Sequence, residues 1–218
     1  MKKTNKLGLC VAGAFILTFA VWTFLVRFVD LAPIGPMGSY VGFAKINAAA
    51  HAFTGVHMSL YTITDWLGLV PIATALGFAV LGLFQWIKRG SVTKVDKSIL
   101  ILGGFYLTMV AVYLIFEMAV INYRPVLIDG RLEASYPSST TTLVMCVMPT
   151  AAMQLYGRIK IRAFRVAVML TIISFTLFMV IGRFISGVHW ITDIIGGALI
   201  SAGLVTAYYS INDLIAKG

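Results

Sequence analysis

The chain has 218 residues, of which 60% are hydrophobic and only 11% are charged. Soluble globular domains carry about 25% charged residues, so this composition excludes an ordinary water-soluble enzyme or binding domain. The formal charge of +9 does not indicate nucleic acid binding, because many of the 17 Lys and Arg residues are clustered in short segments next to long apolar stretches. Basic residues in such positions report membrane topology.

Six apolar stretches are long enough to cross a bilayer, for which a helix needs about 20 residues. They cover about residues 7–26, 68–87, 98–120, 140–157, 164–182 and 190–211. Basic clusters precede the first stretch (Lys2, Lys3, Lys6), separate the second from the third (Lys88, Arg89, Lys94, Lys97) and separate the fourth from the fifth (Arg158, Lys160, Arg162, Arg165). All three clusters fall on one side of a six-span arrangement, which predicts cytoplasmic termini. We therefore predict an all-α membrane protein, a six-helix bundle that forms a single domain over residues 1–218.

The longest segment between spans runs from about residue 27 to residue 67, on the predicted outer side. It begins with helix-breaking residues at Pro33, Gly35 and Pro36, and continues with apolar and aromatic residues and few charges. This composition is typical of short helices at the membrane interface. We expect an interfacial helical segment that either connects the first two spans or covers an outward-facing site.

Two shorter outer segments contain polar residues that are costly in hydrocarbon and therefore indicate function. His189 and Asp193 are four residues apart and share a helix face, so the carboxylate can orient the imidazole as a nucleophile or base. Arg124 and Arg183 lie at the same end of the predicted bundle. Two guanidinium groups beside an imidazole can bind the oxygens of a phosphoryl group.

The fourth span begins with the sequence Pro137-Ser138-Ser139-Thr140. The Ser and Thr hydroxyls can cap the helix, and the hydroxyls and first-turn amides can also receive an anion, because the positive end of the helix dipole lies there. Both interpretations predict that Ser138, Ser139 and Thr140 lie at the outer end of the bundle.

These motifs together resemble the type 2 phosphatidic acid phosphatase superfamily, which includes the vanadium haloperoxidases, and within it the bacterial membrane lipid phosphatases. The pattern of that family is K-x6-R-P, P-S-G-H and S-R-x5-H-x3-D. Arg124-Pro125, Pro137-Ser138 and the set of Arg183, His189 and Asp193 occur here in that order and with matching spacing in the third motif. The resemblance covers roughly residues 40–211.

The resemblance implies a metal-independent phosphatase or phosphotransferase without a cofactor. His189 would form a phosphohistidine, Asp193 would orient the ring, and Arg124, Arg183 and the amides around Ser138 and Ser139 would bind the phosphoryl oxygens. The implied partner is a phosphorylated membrane lipid such as undecaprenyl pyrophosphate, phosphatidylglycerol phosphate or phosphatidic acid. The implied location is the plasma membrane, with the active site on the extracytoplasmic side.

Three positions depart from the family pattern. Glu117 stands where the family has Lys, Thr140 replaces the His that protonates the leaving group, and Gly182 replaces Ser. A hydroxyl is a poor general acid near neutral pH. Glu117 could be the missing acid if burial keeps it protonated, or it could pair with an Arg and compete with phosphate. His51 or His57 of the interfacial segment is a further candidate for the acid.

Two other functions are weighed against the phosphatase. The loss of Lys and His favours a catalytically silent relative that binds or helps to translocate a lipid phosphate, whereas the retention of His189 and Asp193 favours an enzyme. A channel or transporter is disfavoured because the spans carry few charges near the bilayer midplane. Gly196-Gly197 permits close helix packing either within one bundle or between copies of the chain.

Overall fold

The computed structural model describes residues 3–216 and the side chains of residues 6–215. Lys2 and the side chain of Lys3, both in the predicted N-terminal basic cluster, lie outside the described residues. Residues 3–216 form eight α-helices: α1 (Lys3–Phe28), α2 (Ala44–Thr54), α3 (Met58–Leu67), α4 (Leu69–Arg89), α5 (Lys97–Ala119), α6 (Ser139–Arg158), α7 (Arg162–Ile185) and α8 (Ile191–Ala216). Two single 3-10 turns lie at Pro36–Gly38 and Val92–Lys94.

Each of the six predicted spans corresponds to a long helix, namely α1, α4, α5, α6, α7 or α8. Five segments of the described chain are long and apolar enough to cross a membrane: Lys6–Phe28, Met58–Arg89, Lys97–Ala119, Arg162–Ile185 and Ile191–Ile215. The second segment joins α3 to α4, so this candidate span is longer than the predicted one, and helix α6 is not among the five.

Helix α6 is polar because it lies inside the bundle. It packs against α4, α5, α7 and α8. Ten of its 20 residues are buried, among them Thr140, Thr141 and Thr142 in the first turn. A helix surrounded by other helices does not need an apolar outer face, which explains the low hydropathy of α6. At about 1.5 Å per residue, α6 is as long as the hydrocarbon core is thick.

One end of the bundle carries the two basic connections. Asp96, which precedes α5, forms an ion pair with Arg89 at 2.8 Å and approaches Arg158 at the end of α6 to 3.9 Å. The side chains are a third or more exposed, so the pairs contribute little stability. They place the α4–α5 and α6–α7 connections together, as the distribution of basic residues predicts.

The predicted interfacial segment forms α2 and α3, which pack over the α7–α8 connection at the other end of the bundle. The His57 amide donates to the Ser186 carbonyl at 3.0 Å. A Cβ atom at Gly187 would come within 1.9 Å of the Gly55 carbonyl oxygen, so only glycine permits this approach. Buried Asn47 donates from its side-chain nitrogen to the Thr192 hydroxyl at 3.0 Å. The segment is thus a cover over the α7–α8 connection as well as a link between spans.

Gly182, which departs from the family serine, lies where α3 packs against α7. A Cβ atom at this position would approach the methyl carbon of Thr64 to 2.9 Å. The glycine therefore permits the close contact of the two helices.

We expect Gly182→Ser to lower the free energy of unfolding by about 1–3 kcal/mol, because the added atoms collide with Thr64. Thr64→Ser removes that methyl group and should restore most of the loss, as measured by thermal unfolding in detergent. The control is Gly77→Ser, because a Cβ atom at Gly77 has open space around it. Equal losses for the two serine variants would contradict the packing explanation.

Candidate active site

A short antiparallel ladder in the α5–α6 connection positions two site residues. The Arg124 amide donates to the Glu133 carbonyl at 3.0 Å, and the Ser135 amide donates to the Asn122 carbonyl at 2.9 Å. Tyr123 and Ala134 form the bridge between them. These backbone bonds fix the two strands of the loop against each other, so the Arg124 and Ser135 side chains are held in register.

His189 lies in the α7–α8 connection and is 3% exposed. Burial lowers the pKa of His189 to about 4, because the charged imidazolium is disfavoured away from water. The ring is therefore neutral near pH 7 and has a lone pair on one nitrogen. Its Nε2 atom faces Arg124 Nη1 at 3.5 Å, and its Nδ1 atom lies 3.1 Å from Ser135 Oγ.

Asp193 is fully buried in the first turn of α8. Its Oδ2 atom accepts hydrogen bonds from the Ser135 hydroxyl at 2.5 Å and the Trp190 amide at 2.9 Å, and its Oδ1 atom lies 3.4 Å from Asn122 Nδ2. The distance from His189 Nδ1 to Asp193 Oδ2 is 3.8 Å, which is too long for a direct hydrogen bond. The sequence predicted that the two side chains share a face, but it did not identify the serine between them.

The two predicted phosphate-binding arginines converge on one aromatic ring. The guanidinium carbons of Arg183 and Arg124 lie 4.8 and 5.9 Å from the centre of the Tyr61 ring. Arg183 is 1% and Arg124 is 8% exposed. Cations over an aromatic face are attracted to its π electrons, so Tyr61 helps to hold two like charges close together.

Each arginine is already paired with a carboxylate. Arg183 Nη2 donates to Asp65 Oδ1 at 2.9 Å, and Arg124 Nε lies 3.1 Å from Glu133 Oε2. The side chains of Asp65 and Glu133 are 58% and 40% exposed, so both carboxylates can move away from the arginines.

The first turn of α6 uses its polar groups partly within the protein. The Ser138 hydroxyl accepts from the Thr141 amide at 3.4 Å and so caps the helix. The Ser138 amide donates to the Asp193 carbonyl at 3.0 Å, so it is not free to bind a phosphoryl oxygen, in contrast to the expectation from the resemblance. Thr140 Oγ1 accepts from Arg183 Nη2 at 2.6 Å. Ser139 lines the adjoining cavity.

A cavity of about 800 Å³ opens beside these residues, between α4, α5, α6 and the α5–α6 connection. Arg124, Glu133, Ser135, Ser139 and Thr140 line its polar part. Its apolar part is lined by side chains of three helices, which include Ile72, Met109, Val110, Val112 and Leu143. The cavity thus offers a polar site to a head group and an apolar wall to hydrocarbon chains.

Glu117 lines the same cavity from α5, and its side chain is exposed on the surface of the protein. The ion pairs of Arg124 and Arg183 involve Glu133 and Asp65 in place of Glu117. The other candidate acids contact backbone carbonyls: His51 Nε2 is 3.1 Å from the Gly187 carbonyl oxygen, and His57 Nε2 is 2.9 Å from the Thr54 carbonyl oxygen. Both histidines stabilise the covering segment.

Sequence reasoning missed five residues that the structure brings to this site. They are Tyr61 and Asp65 of α3, and Asn122, Glu133 and Ser135 of the α5–α6 connection. The three loop residues flank the predicted Arg124 and Ser138, and this proximity in the chain was the available signal. Tyr61 and Asp65 had no such signal, because they come to Arg183 only through helix packing.

The chain is similar to known membrane proteins. Residues 119–215 match the family model of the PAP2 superfamily. A solved structure of a transmembrane PAP2-type phosphatidylglycerolphosphate phosphatase from Bacillus subtilis is similar, with 19% sequence identity, a TM-score of 0.56, and coverage of 94% of this chain and 96% of that one. No curated protein matches the chain. The predicted resemblance is confirmed: the chain is a multi-pass membrane protein, and its segment 119–215, which carries His189, belongs to the PAP2 superfamily.

Proposed function

We propose that this protein dephosphorylates a lipid phosphate through a phosphohistidine formed at Nε2 of His189. One observation carries the proposal: a buried neutral imidazole has Nε2 directed toward Arg124, and Arg124 shares the Tyr61 ring with Arg183. Phosphoryl transfer depends mainly on positioning and on stabilising negative charge, and this arrangement supplies both.

In the first step, Nε2 of His189 attacks the phosphorus atom and the bond between phosphorus and the leaving oxygen breaks. The leaving oxygen keeps the electron pair and takes a proton from water or from an acid that lines the cavity. Arg124 and Arg183 stabilise the charge that develops on the remaining phosphoryl oxygens. The amides of Ser139 and Thr140, in the first turn of α6, favour an anion at the same place.

In the second step, water attacks the phosphohistidine, the Nε2–P bond breaks and inorganic phosphate leaves. An acceptor alcohol in place of water would give phosphoryl transfer. The chemistry of both steps uses the residues of this chain without a cofactor, as the resemblance implies. His189 returns to its neutral form, which burial favours.

The mixed lining of the cavity supports a lipid as the substrate. Its polar part is lined by Arg124 and Ser135, which both contact His189, and its apolar part borders α4, α5 and α6, where hydrocarbon chains could lie between helices. The similar Bacillus subtilis protein is a phosphatidylglycerolphosphate phosphatase. We propose the same broad substrate class here, which includes phosphatidic acid and undecaprenyl pyrophosphate.

The charge distribution supports a topology with six spans and both termini in the cytoplasm of a plasma-membrane protein. The α4–α5 and α6–α7 connections carry basic clusters, and the ion pairs of Asp96 bring them to one end of the bundle. Basic connections favour the cytoplasmic side, so His189 at the opposite end would face the extracytoplasmic side. The central position and length of α6 support its assignment as a sixth span.

A lipid-phosphate-binding protein without catalytic activity is the second candidate. The pairing of Arg124 with Glu133 and of Arg183 with Asp65 favours it, because two carboxylates compete with the phosphate that the arginines would bind. Thr140 in place of the family histidine favours it as well. The neutral, oriented imidazole of His189 favours the enzyme, since a binding protein has no need for a nucleophile.

Trapping the covalent intermediate separates the two candidates. With lipids that carry a radiolabelled phosphate, we expect alkali-stable, acid-labile label on the wild-type protein and none on His189→Gln. We also expect the phosphatase activity of His189→Gln to be lower than that of the wild type, on the order of a thousandfold or more. His57→Gln is the matched control, because His57 is exposed and contacts Thr54. Binding of lipid phosphates without label or phosphate release would support the silent relative and refute the phosphatase.

Substitutions of Glu117 test whether it donates the proton to the leaving group. An essential acid predicts that Glu117→Gln and Glu117→Lys both lower kcat, by about 10²–10⁴-fold, because neither side chain is a carboxylic acid. Phosphate release under saturating lipid is the measurement, and Met118→Leu on the same exposed helix end is the control. Full activity in either variant would exclude Glu117 as the acid.

Substitution of Glu133 tests whether this carboxylate competes with substrate for Arg124. Glu133→Gln removes a partly exposed ion pair that is worth up to about 1 kcal/mol, so we expect KM to fall by about two- to fivefold with kcat little changed. Asp129→Asn removes the same charge from an exposed position in the same loop and serves as the control. A rise in KM for Glu133→Gln would mean that Glu133 helps to bind the substrate.

A further inference from the structure

Ser135 lies between the two residues that the family pattern pairs directly. Its hydroxyl oxygen is 3.1 Å from His189 Nδ1 and 2.5 Å from Asp193 Oδ2, whereas those two atoms are 3.8 Å apart. The residue is 3% exposed, and its amide is bonded to the Asn122 carbonyl. Ser135 is therefore held in contact with both side chains.

The direction of each hydrogen bond follows from the groups available. An ionised carboxylate only accepts, so the single hydroxyl proton of Ser135 is donated to Asp193. Ser135 Oγ can then only accept from the ring, and this requires the proton of neutral His189 to be on Nδ1. Nε2 is left with a lone pair, which agrees with the donor, Arg124 Nη1, that faces it at 3.5 Å.

We propose that Ser135 is the positioning residue that transmits the charge of Asp193 to His189 and selects the imidazole tautomer with the proton on Nδ1. The effect of Ser135 on catalysis rests on the function proposed above. Other residues also orient Asp193, since the Trp190 amide donates to the same carboxylate oxygen. Only Ser135, among the described residues in hydrogen-bond contact with Asp193, also contacts the Nδ1 atom of His189.

The arrangement has a clear effect on the proposed first step. As the Nε2–P bond forms, positive charge develops on the ring and the Nδ1–H group becomes a stronger donor. The Ser135 hydroxyl, polarised by Asp193, stabilises that charge while the proton stays on Nδ1. With the opposite tautomer, Nε2 would carry a hydrogen atom and would have no lone pair for the phosphorus atom.

The tautomer can be measured without a substrate. The chain contains three histidines, so histidine labelled with nitrogen-15 gives a simple spectrum, and His189→Gln assigns the His189 signals. In the full-length protein in detergent, we expect a neutral His189 with the proton on Nδ1 at pH 7. In Ser135→Ala we expect a mixture shifted toward the Nε2–H tautomer. Ser201→Ala, which removes a buried α8 hydroxyl bonded to the Thr142 carbonyl, should leave the tautomer unchanged.

Kinetics provide the second readout, through a double-mutant cycle of Ser135→Ala with Asp193→Asn. A hydrogen bond to a charged group is worth about 1.5–3 kcal/mol, so each single variant should form phosphohistidine about ten- to hundredfold more slowly. If Asp193 acts through Ser135, the double variant should be little slower than the worse single variant. Ser135→Thr retains the hydroxyl and should recover part of the rate.

The outcomes distinguish this proposal from the proposed phosphatase activity. An unchanged tautomer in folded Ser135→Ala, or strictly additive losses in the cycle, would overturn the role of Ser135 even if the protein is a phosphatase. If wild-type protein formed no phosphohistidine, the phosphatase would be refuted, while the nitrogen-15 spectra would still decide whether Ser135 selects the tautomer.

Discussion

The fully buried carboxylate of Asp193 is the constraint on which the rest of the site depends. A buried charge is costly unless hydrogen bonds replace its water shell, and Asp193 accepts from Ser135 and the Trp190 amide, with Asn122 nearby. Its own carbonyl also accepts from the Ser138 amide. This one residue thereby joins the start of α8, the α5–α6 connection and the start of α6, three of the segments that carry motif residues.

The bilayer determines where the apolar and polar helices lie around Asp193. Apolar helices face lipid, and the polar helix α6 lies among four others, where its threonines find partners within the protein. The polar residues therefore gather at the ends of the helices and around α6. The cavity beside α6 connects this polar region to apolar side chains, a combination suited to a molecule with a charged head and hydrocarbon chains.

The electrostatics of the site differ from those expected of a simple anion-binding pocket. Arg124 and Arg183 are close together over Tyr61, but Glu133 and Asp65 balance them. Two buried guanidinium groups without counter-ions would repel each other and lose hydration, so the carboxylates stabilise the site in the absence of phosphate. In the proposed function, phosphate binding is an exchange of one anion for another, and the partial exposure of both carboxylates favours that exchange.

The sequence by itself determined the membrane class, the approximate limits of the six long helices, the gathering of the basic connections and the position of Arg124, Arg183, His189 and Asp193 at one end of the bundle. These features depend on local hydropathy and on spacing within short segments, which are encoded along the chain. Tertiary structure alone decided that Ser135 separates His189 from Asp193, that α3 brings Tyr61 and Asp65 to Arg183, and that Glu117 lies on an exposed helix face. Those contacts depend on the packing of helices distant in sequence, where a displacement of about 1 Å changes the hydrogen-bond partner.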